Sequence, residues 1–234
     1  MVTSNHTLPA PTENGAARLD PIEEAVRAMA AGRPVLVVDN EDRENEGDII
    51  FAAQFATPAL MGWTVRYSSG VICVPLDGAR ADALALPPMV EINEDSKGTA
   101  YTVSCDASAG VSTGISATDR ALTARVLADP GSRPGSLTRP GHVFPLRAVN
   151  GGVRERPGHT EAAVDLCRLA GVEPVGVIAE LVYDNGEMMR LDGLRSFAAE
   201  HGCPLISIED LVAYLGAPQR VGQVSGTAWN EERR

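Results

Sequence analysis

Two short apolar runs, Val35–Val38 and residues 49–53, enclose ten residues from which apolar side chains are absent. Runs this short and rich in Val and Ile predict buried strands. Elsewhere the period lengthens to that of helices. Asp20-Pro21-Ile22-Glu23 predicts a helix start, with Asp20 as N-cap and Pro21 at the first helical position, and Gly32 closes that helix. Thr57-Pro58 opens a short helix over 61–66, residues 71–76 read as a strand, and 77–100 read as loop with a helix around 79–86. Residues 101–105 alternate like a strand, and a helix over 119–128 stops at Asp129-Pro130. Ala163, Leu166, Leu169 and Ala170 mark an amphipathic helix closed by Gly171, before a strand over 175–182. Asp184-Asn185-Gly186 predicts a tight turn, residues 194–201 a helix, 204–208 a strand, and Ser207 caps a final helix that runs through Leu215.

Strands and helices alternate throughout, and some strands are joined by tight turns. The fold class is therefore α/β (α+β), a mixed twisted sheet flanked by helices in three layers. Residues 1–18 and 217–234 lack periodicity and read as disordered tails, leaving 19–216 as one domain.

Composition narrows the chemistry. The 234 residues, 44% hydrophobic, suffice for one sizeable core. A net charge of −11 argues against nucleic acid and anionic membrane as partners, because phosphates require clustered cations. Lys97 is the only lysine and sits in a stretch that reads as a mobile loop, which disfavours Schiff-base chemistry. Cys73, Cys105, Cys167 and Cys203 are too scattered for a zinc site and read as buried, reduced thiols. With no apolar signal core and no run of membrane-spanning length, the expected location is cytoplasmic.

The segment between the first two strands holds six carboxylates, Asp39, Glu41, Asp42, Glu44, Glu46 and Asp48, with Arg43 among them. Glu44, Glu46 and Asp48 alternate, so an extended backbone aims them to one side, where their repulsion favours a hard divalent cation. Gly47 is expected to bend the backbone between the last two. An EF-hand is excluded, since position twelve counted from Asp42 is Ala53. Hydroxyls and free N–H groups over 112–119 suit either an anion or simple helix capping.

One tetrapeptide occurs twice, as Arg139-Pro140-Gly141-His142 and Arg156-Pro157-Gly158-His159, and both copies read as turns. The second leads into Thr160 at a helix start, a place for phosphate or a carboxylate-bound metal. Glu180 lies among apolar residues of a strand, so it faces solvent at an edge or is paired, metal-bound or protonated. This inventory suits a hydroxylated phosphoester held through a divalent cation, with enolisation as the accessible chemistry.

Residues 42–48, 113–120, 139–146 and 156–162 resemble, in order, the successive signatures of the 3,4-dihydroxy-2-butanone 4-phosphate synthase family, and the similarity runs from about Asp20 to Leu215. The resemblance implies conversion of D-ribulose 5-phosphate to 3,4-dihydroxy-2-butanone 4-phosphate and formate, a lyase reaction of riboflavin biosynthesis. It implies Mg2+ or Mn2+, two per site, with Glu44 and His159 as metal ligands. Arg43, Glu44 and Asp48, the run Arg156, Pro157, Gly158, His159 and Thr160, and Glu180 are implied as substrate-binding. His142 and Glu180 match acid–base positions, with Glu46 as a further acid–base or positioning group. A homodimer with its sites at or near the subunit interface is also implied. Asn40 and Ser68-Ser69-Gly70 depart from the commoner family pattern, and the short segment after Leu215 leads us to expect a monofunctional chain. The rival readings are another metal-dependent sugar-phosphate isomerase or aldolase, a binding module of similar layered fold, and a calcium-binding surface protein. The missing cationic groove disfavours the second, and the two histidine-bearing repeats disfavour the third.

Overall fold

The computed structural model describes residues 19–217, so the tails expected over 1–18 and 217–234 lie, apart from Ala217, outside the described residues. Seven strands form one sheet: β1 (Val35–Val38), β2 (Gly47–Ala52), β3 (Cys73–Leu76), β4 (Cys105–Ala107), β5 (Leu137–Arg147), β6 (Gly176–Glu180) and β7 (Leu205–Ser207). The helices are α1 (Ile22–Ala30), α2 (Pro58–Tyr67), α3 (Gly78–Ala83), α4 (Ala117–Ala128), α5 (His159–Leu169), α6 (Leu191–His201) and α7 (Ile208–Gly216). The strand order is β4-β5-β3-β6-β2-β1-β7, with β1/β7 and β3/β5 parallel and the remaining pairs antiparallel. The sheet is mixed, as the alternation of helices with tight turns implied.

Every residue of β1 and β2 is buried, because helices cover both faces of the sheet. The two-residue period sorts the side chains between two cores. Leu36, Val38, Ile49 and Phe51 join residues of α2, α3, α4 and α6, whereas Val35, Val37, Ile50 and Ala52 join residues of α1, α5 and α7. Three layers result. All four cysteines are free and buried, in agreement with their scattered spacing. Among the described residues, no helix is long and apolar enough to cross a membrane.

Several local expectations give way to tertiary structure. Pro21, not Asp20, occupies the N-cap of α1 and makes no side-chain cap. Asp20 instead fastens β7, donating its N–H to the Leu205 carbonyl at 2.8 Å and accepting the Leu205 N–H on Oδ2 at 2.8 Å. Over 101–105, Tyr101 and Thr102 form isolated bridges, and the regular strand begins at Cys105. The first Arg-Pro-Gly-His copy is not a turn but part of β5.

Gly47 lies inside β2, and the left-handed residue of the acidic segment is Asn45, at φ 56°. The bend therefore precedes the position assigned to it. Gly47 is small for another reason: a Cβ there would lie 2.4 Å from Leu194 Cδ1 on α6. Leu194 is fully buried, so it can move aside only by disturbing the core. Gly47→Ala is expected to cost roughly 1–3 kcal/mol by overpacking, read as a lower urea midpoint. A midpoint equal to wild type would show that α6 yields freely.

Candidate active site

The hairpin brings the acidic segment to the end of the central strands, where β1 and β6 finish and β2 begins. Asp39 organises it from inside. Its Oδ2 accepts from the Glu44 N–H at 2.9 Å and from Arg43 Nη1 at 3.0 Å, and its Oδ1 accepts from the Glu46 N–H at 2.8 Å. One buried carboxylate thus fixes the backbone on which two others stand. Asn40 accepts the Asp42 N–H at 2.9 Å and tightens the turn. Residues 41–44 form turns, so Glu44 and Glu46 reach the pocket from a curled loop, not from the extended backbone expected of their alternation.

Sheet register supplies the floor. Val37, Asp48 and Glu180 are direct neighbours across β1, β2 and β6. His159, the first residue of α5, points back to this row, with Nε2 3.1 Å from the Val37 carbonyl oxygen. A carbonyl only accepts, so Nε2 carries a proton and Nδ1 is left facing Glu44 Oε2 and Asp48 Oδ1, each 3.8 Å away. The His159 ring, assisted by Arg43, holds Glu44 down to about 2 against the effect of burial. Burial opposes charge on His159, but Asp48, Glu44 and Asp39 outweigh it and raise its pKa to about 9. Asp48 is pushed up to about 7 by burial and by the charges of Glu180, Glu44 and Glu46. Glu46 is raised in the same way, by burial and then by Glu44 and Glu180.

A divalent cation fits this arrangement. Asp39, Glu44 and His159 offer ligand atoms within 4.8 Å of one another. Yet Asp39 already accepts three hydrogen bonds, whereas Asp48 Oδ1 is buried without any partner. His159 Nδ1 lies 3.8 Å from both Glu44 Oε2 and the orphaned Asp48 oxygen, so the imidazole stands between two carboxylates of the kind a hard divalent cation binds.

The helix start contributes more than His159. Thr160 is buried and lines the same pocket, and Gly158 is the N-cap residue of α5. A Cβ on Gly158 would lie 2.5 Å from Arg156 Nη1 and 3.0 Å from Arg43 Nη2, so its absence admits both guanidinium groups. Arg156 donates to Glu161 Oε2 at 2.6 Å, to the Lys97 carbonyl at 3.1 Å and to Thr99 Oγ1 at 3.3 Å. Lys97 in turn donates to the Arg43 carbonyl at 2.7 Å. The stretch expected to be a mobile loop is fastened at two points beside the pocket. Glu180 is not on an edge: β6 lies between β3 and β2, and the Glu180 carboxylate accepts from Ser69 Oγ at 2.7 Å.

Arg43, Glu44, Glu46, Asp48, Arg156, His159, Thr160 and Glu180 therefore line one pocket, with Cys73, Thr99 and Tyr101 beside them. Pro157 and Gly158 shape the turn that enters α5. His142 is not among the lining residues; it sits on β5, 2.7 Å from Asp106. The start of α4 does not present an open anion site, because Asp119 itself accepts from the Ser112 N–H and hydroxyl and from the Gly114 N–H. Sequence reasoning gave no role to Asp39, Glu161, Thr99 or Tyr101. For Asp39, its place at the head of the acidic segment was the available signal.

A mixed α/β sheet that gathers carboxylates, one histidine and a helix start at one end of its central strands places this chain among α/β proteins with a candidate acidic metal site. The chain belongs to the 3,4-dihydroxy-2-butanone 4-phosphate synthase family, whose sequence model matches residues 23–214. It is 62% identical over 193 residues to the riboflavin biosynthesis protein RibBA of Salinispora arenicola, covering 82% of this chain and 46% of that protein. To the RibBA of Rhodococcus jostii it is 61% identical, over 84% of this chain and 48% of the relative. The chain thus spans about half the length of these curated relatives. A solved 3,4-dihydroxy-2-butanone 4-phosphate synthase in complex with two magnesium ions superposes with a TM-score of 0.82 at 49% identity, covering 84% of this chain and 96% of that one. The enzyme of Candida albicans gives 0.79 at 53% identity, over 85% and 99%.

Glu44→Ala and His159→Ala are each expected to weaken magnesium or manganese binding by more than the ~10–100-fold typical of outer-shell partners. Their far-UV circular dichroism should match wild type, since each change relieves crowding or leaves a helix start exposed to water. Calorimetric titration showing wild-type affinity in both variants would move the cation elsewhere.

Proposed function

We propose that this chain converts D-ribulose 5-phosphate to 3,4-dihydroxy-2-butanone 4-phosphate and formate, a lyase step of riboflavin biosynthesis carried out in the cytoplasm. The observation that carries the reading is His159 Nδ1 set between Glu44 and the orphaned Asp48 oxygen, 3.8 Å from each, in one pocket with Glu46, Glu180 and the start of α5. Magnesium or manganese is the proposed cofactor, with two ions per site, in keeping with a solved relative in complex with two magnesium ions. Glu44 and His159 are its proposed ligands, with Asp48 touching the sugar. When bound, the cation polarises the carbonyl and the neighbouring hydroxyl and stabilises negative charge on oxygen.

The protein's own groups move the protons and hold the ends. Glu46, whose carboxyl binds its proton more tightly than an ordinary glutamate, is suited to take a proton from carbon next to the carbonyl and return it. Glu180, held by Ser69, faces the same space and is suited to relay protons to oxygen. Arg43 and Asp48 contact the hydroxylated chain, and Arg156 and Thr160, at the positive end of α5, bind the phosphate. Enolisation is followed by loss of water, a carbon shift, uptake of water and expulsion of formate. The atoms of the substrate equal those of the two products.

His142 requires a second copy. It does not line the pocket of its own chain, so we assign its acid–base role to the pocket of a partner subunit in a homodimer. Mixing His142→Ala with Glu44→Ala protein, each retaining only a small residual rate, should restore a fraction of wild-type activity through hybrids with one intact site. No recovery on subunit exchange, with dimers present, would place His142 in its own chain's chemistry.

The decisive assay is formate release from ribulose 5-phosphate by protein stripped with a chelator, with and without added magnesium. Magnesium-dependent formate is the expected result. Consumption of substrate without formate would instead indicate a sugar-phosphate isomerase or aldolase, and no consumption would indicate a binding function.

A further inference from the structure

Two of the hydrogen-bonding groups of His142 go to one carboxylate. Asp106, in β4, accepts the His142 backbone N–H on Oδ1 at 2.8 Å, and its Oδ2 lies 2.7 Å from the ring Nδ1. The ladder between β4 and β5 explains how. Cys105 pairs with Val143, yet the next residue, Asp106, pairs with Thr138, so the four residues Arg139, Pro140, Gly141 and His142 drop out of register. A bulge re-aims side chains. This one delivers the His142 N–H to the Asp106 carboxylate in place of a main-chain carbonyl.

Gly114 closes the remaining side. At φ 93° it lies so near that a Cβ would fall 2.1 Å from Asp106 Oδ2 and 2.6 Å from His142 Nδ1. Its own N–H is fixed by Asp119 at 3.0 Å. The Asp106 side chain is 10% exposed and that of His142 41%, so the covered end of the ring is Nδ1 and the open end carries Nε2.

We infer that Asp106 is the positioning residue for His142, fixing the Nδ1–H tautomer and the ring orientation so that Nε2 presents its lone pair to substrate. The inference rests on the reading of His142 as an acid–base group. A carboxylate is acceptor-only, so Nδ1 donates, and the neutral ring must then be unprotonated at Nε2. When Nε2 takes a proton from substrate, the adjacent carboxylate stabilises the imidazolium, and the proton is returned in a later step. This carboxylate–imidazole geometry stands apart from the metal-type carboxylates, and nothing in the tetrapeptide itself announces it.

Asp106→Asn preserves shape and offers the ring an N–H, which favours the opposite tautomer. In 15N-labelled wild-type protein, His142 should show the Nδ1–H pattern, and Asp106→Asn should shift it to Nε2–H. The kcat for formate release should fall by roughly 10²–10⁴-fold with KM little changed. In a His142→Ala background, Asp106→Asn should cost nothing further. A wild-type His142 protonated at Nε2 overturns the inference without any variant. Full kcat in Asp106→Asn, with His142→Ala reduced to a small residual rate, overturns it while leaving the reading of His142 intact. Full activity in His142→Ala overturns that reading itself, and an equal loss from Asp106→Asn in both backgrounds reduces Asp106 to a structural residue.

Discussion

Like charges held close together are the constraint on which this site depends. Two carboxylates about 4 Å apart repel by about 4 kcal/mol at an effective dielectric near 20, several times the net worth of a typical hydrogen bond of about 1 kcal/mol. Asp48, Glu44, Glu46 and Glu180 share one pocket. The protein contains the repulsion by dividing the carboxylates into two kinds. Asp39 is saturated with donors and serves as scaffold, whereas Asp48 keeps an oxygen bare. His159 mediates between them, anchored through Nε2 on Val37 and turned through Nδ1 toward the acidic side. A proton or a metal ion at Nδ1 neutralises the same excess charge.

Position in the sheet makes this division possible. Because β1 and β2 are covered on both faces, their side chains have no freedom to slide, and the row Val37, Asp48, Glu180 is fixed by register alone. Asp48 and Glu180 inherit precision from strands, and the loop inherits it from Asp39. Arg156 performs a comparable task on the other flank, linking Glu161 of α5 to Lys97 and Thr99.

The parts of this architecture that were legible in the sequence are those encoded locally. The short apolar runs announced β1 and β2, the charge between them announced the pocket, and the periodicity after His159 announced α5. Long-range pairings were not legible. Asp106 and His142 are 36 residues apart and meet through a register shift that no spacing records. Gly47 read as a bend because glycine commonly is one, although Leu194, distant in sequence, is what excludes a side chain there. The repeated Arg-Pro-Gly-His is the sharpest case. One copy opens a helix and the other bulges a strand, so identical residues acquire different shapes from their surroundings.

The fastening of Lys97 gives the molecule an unusual chemical address. It is the sole lysine in the sequence, and its ammonium group is engaged with the Arg43 carbonyl beside the pocket. Among side chains, Lys97 is therefore the one amine that dyes, acylating agents or activated surfaces can modify. That side chain adjoins the acidic segment through the Arg43 carbonyl, so a label placed there reports on the state of that loop.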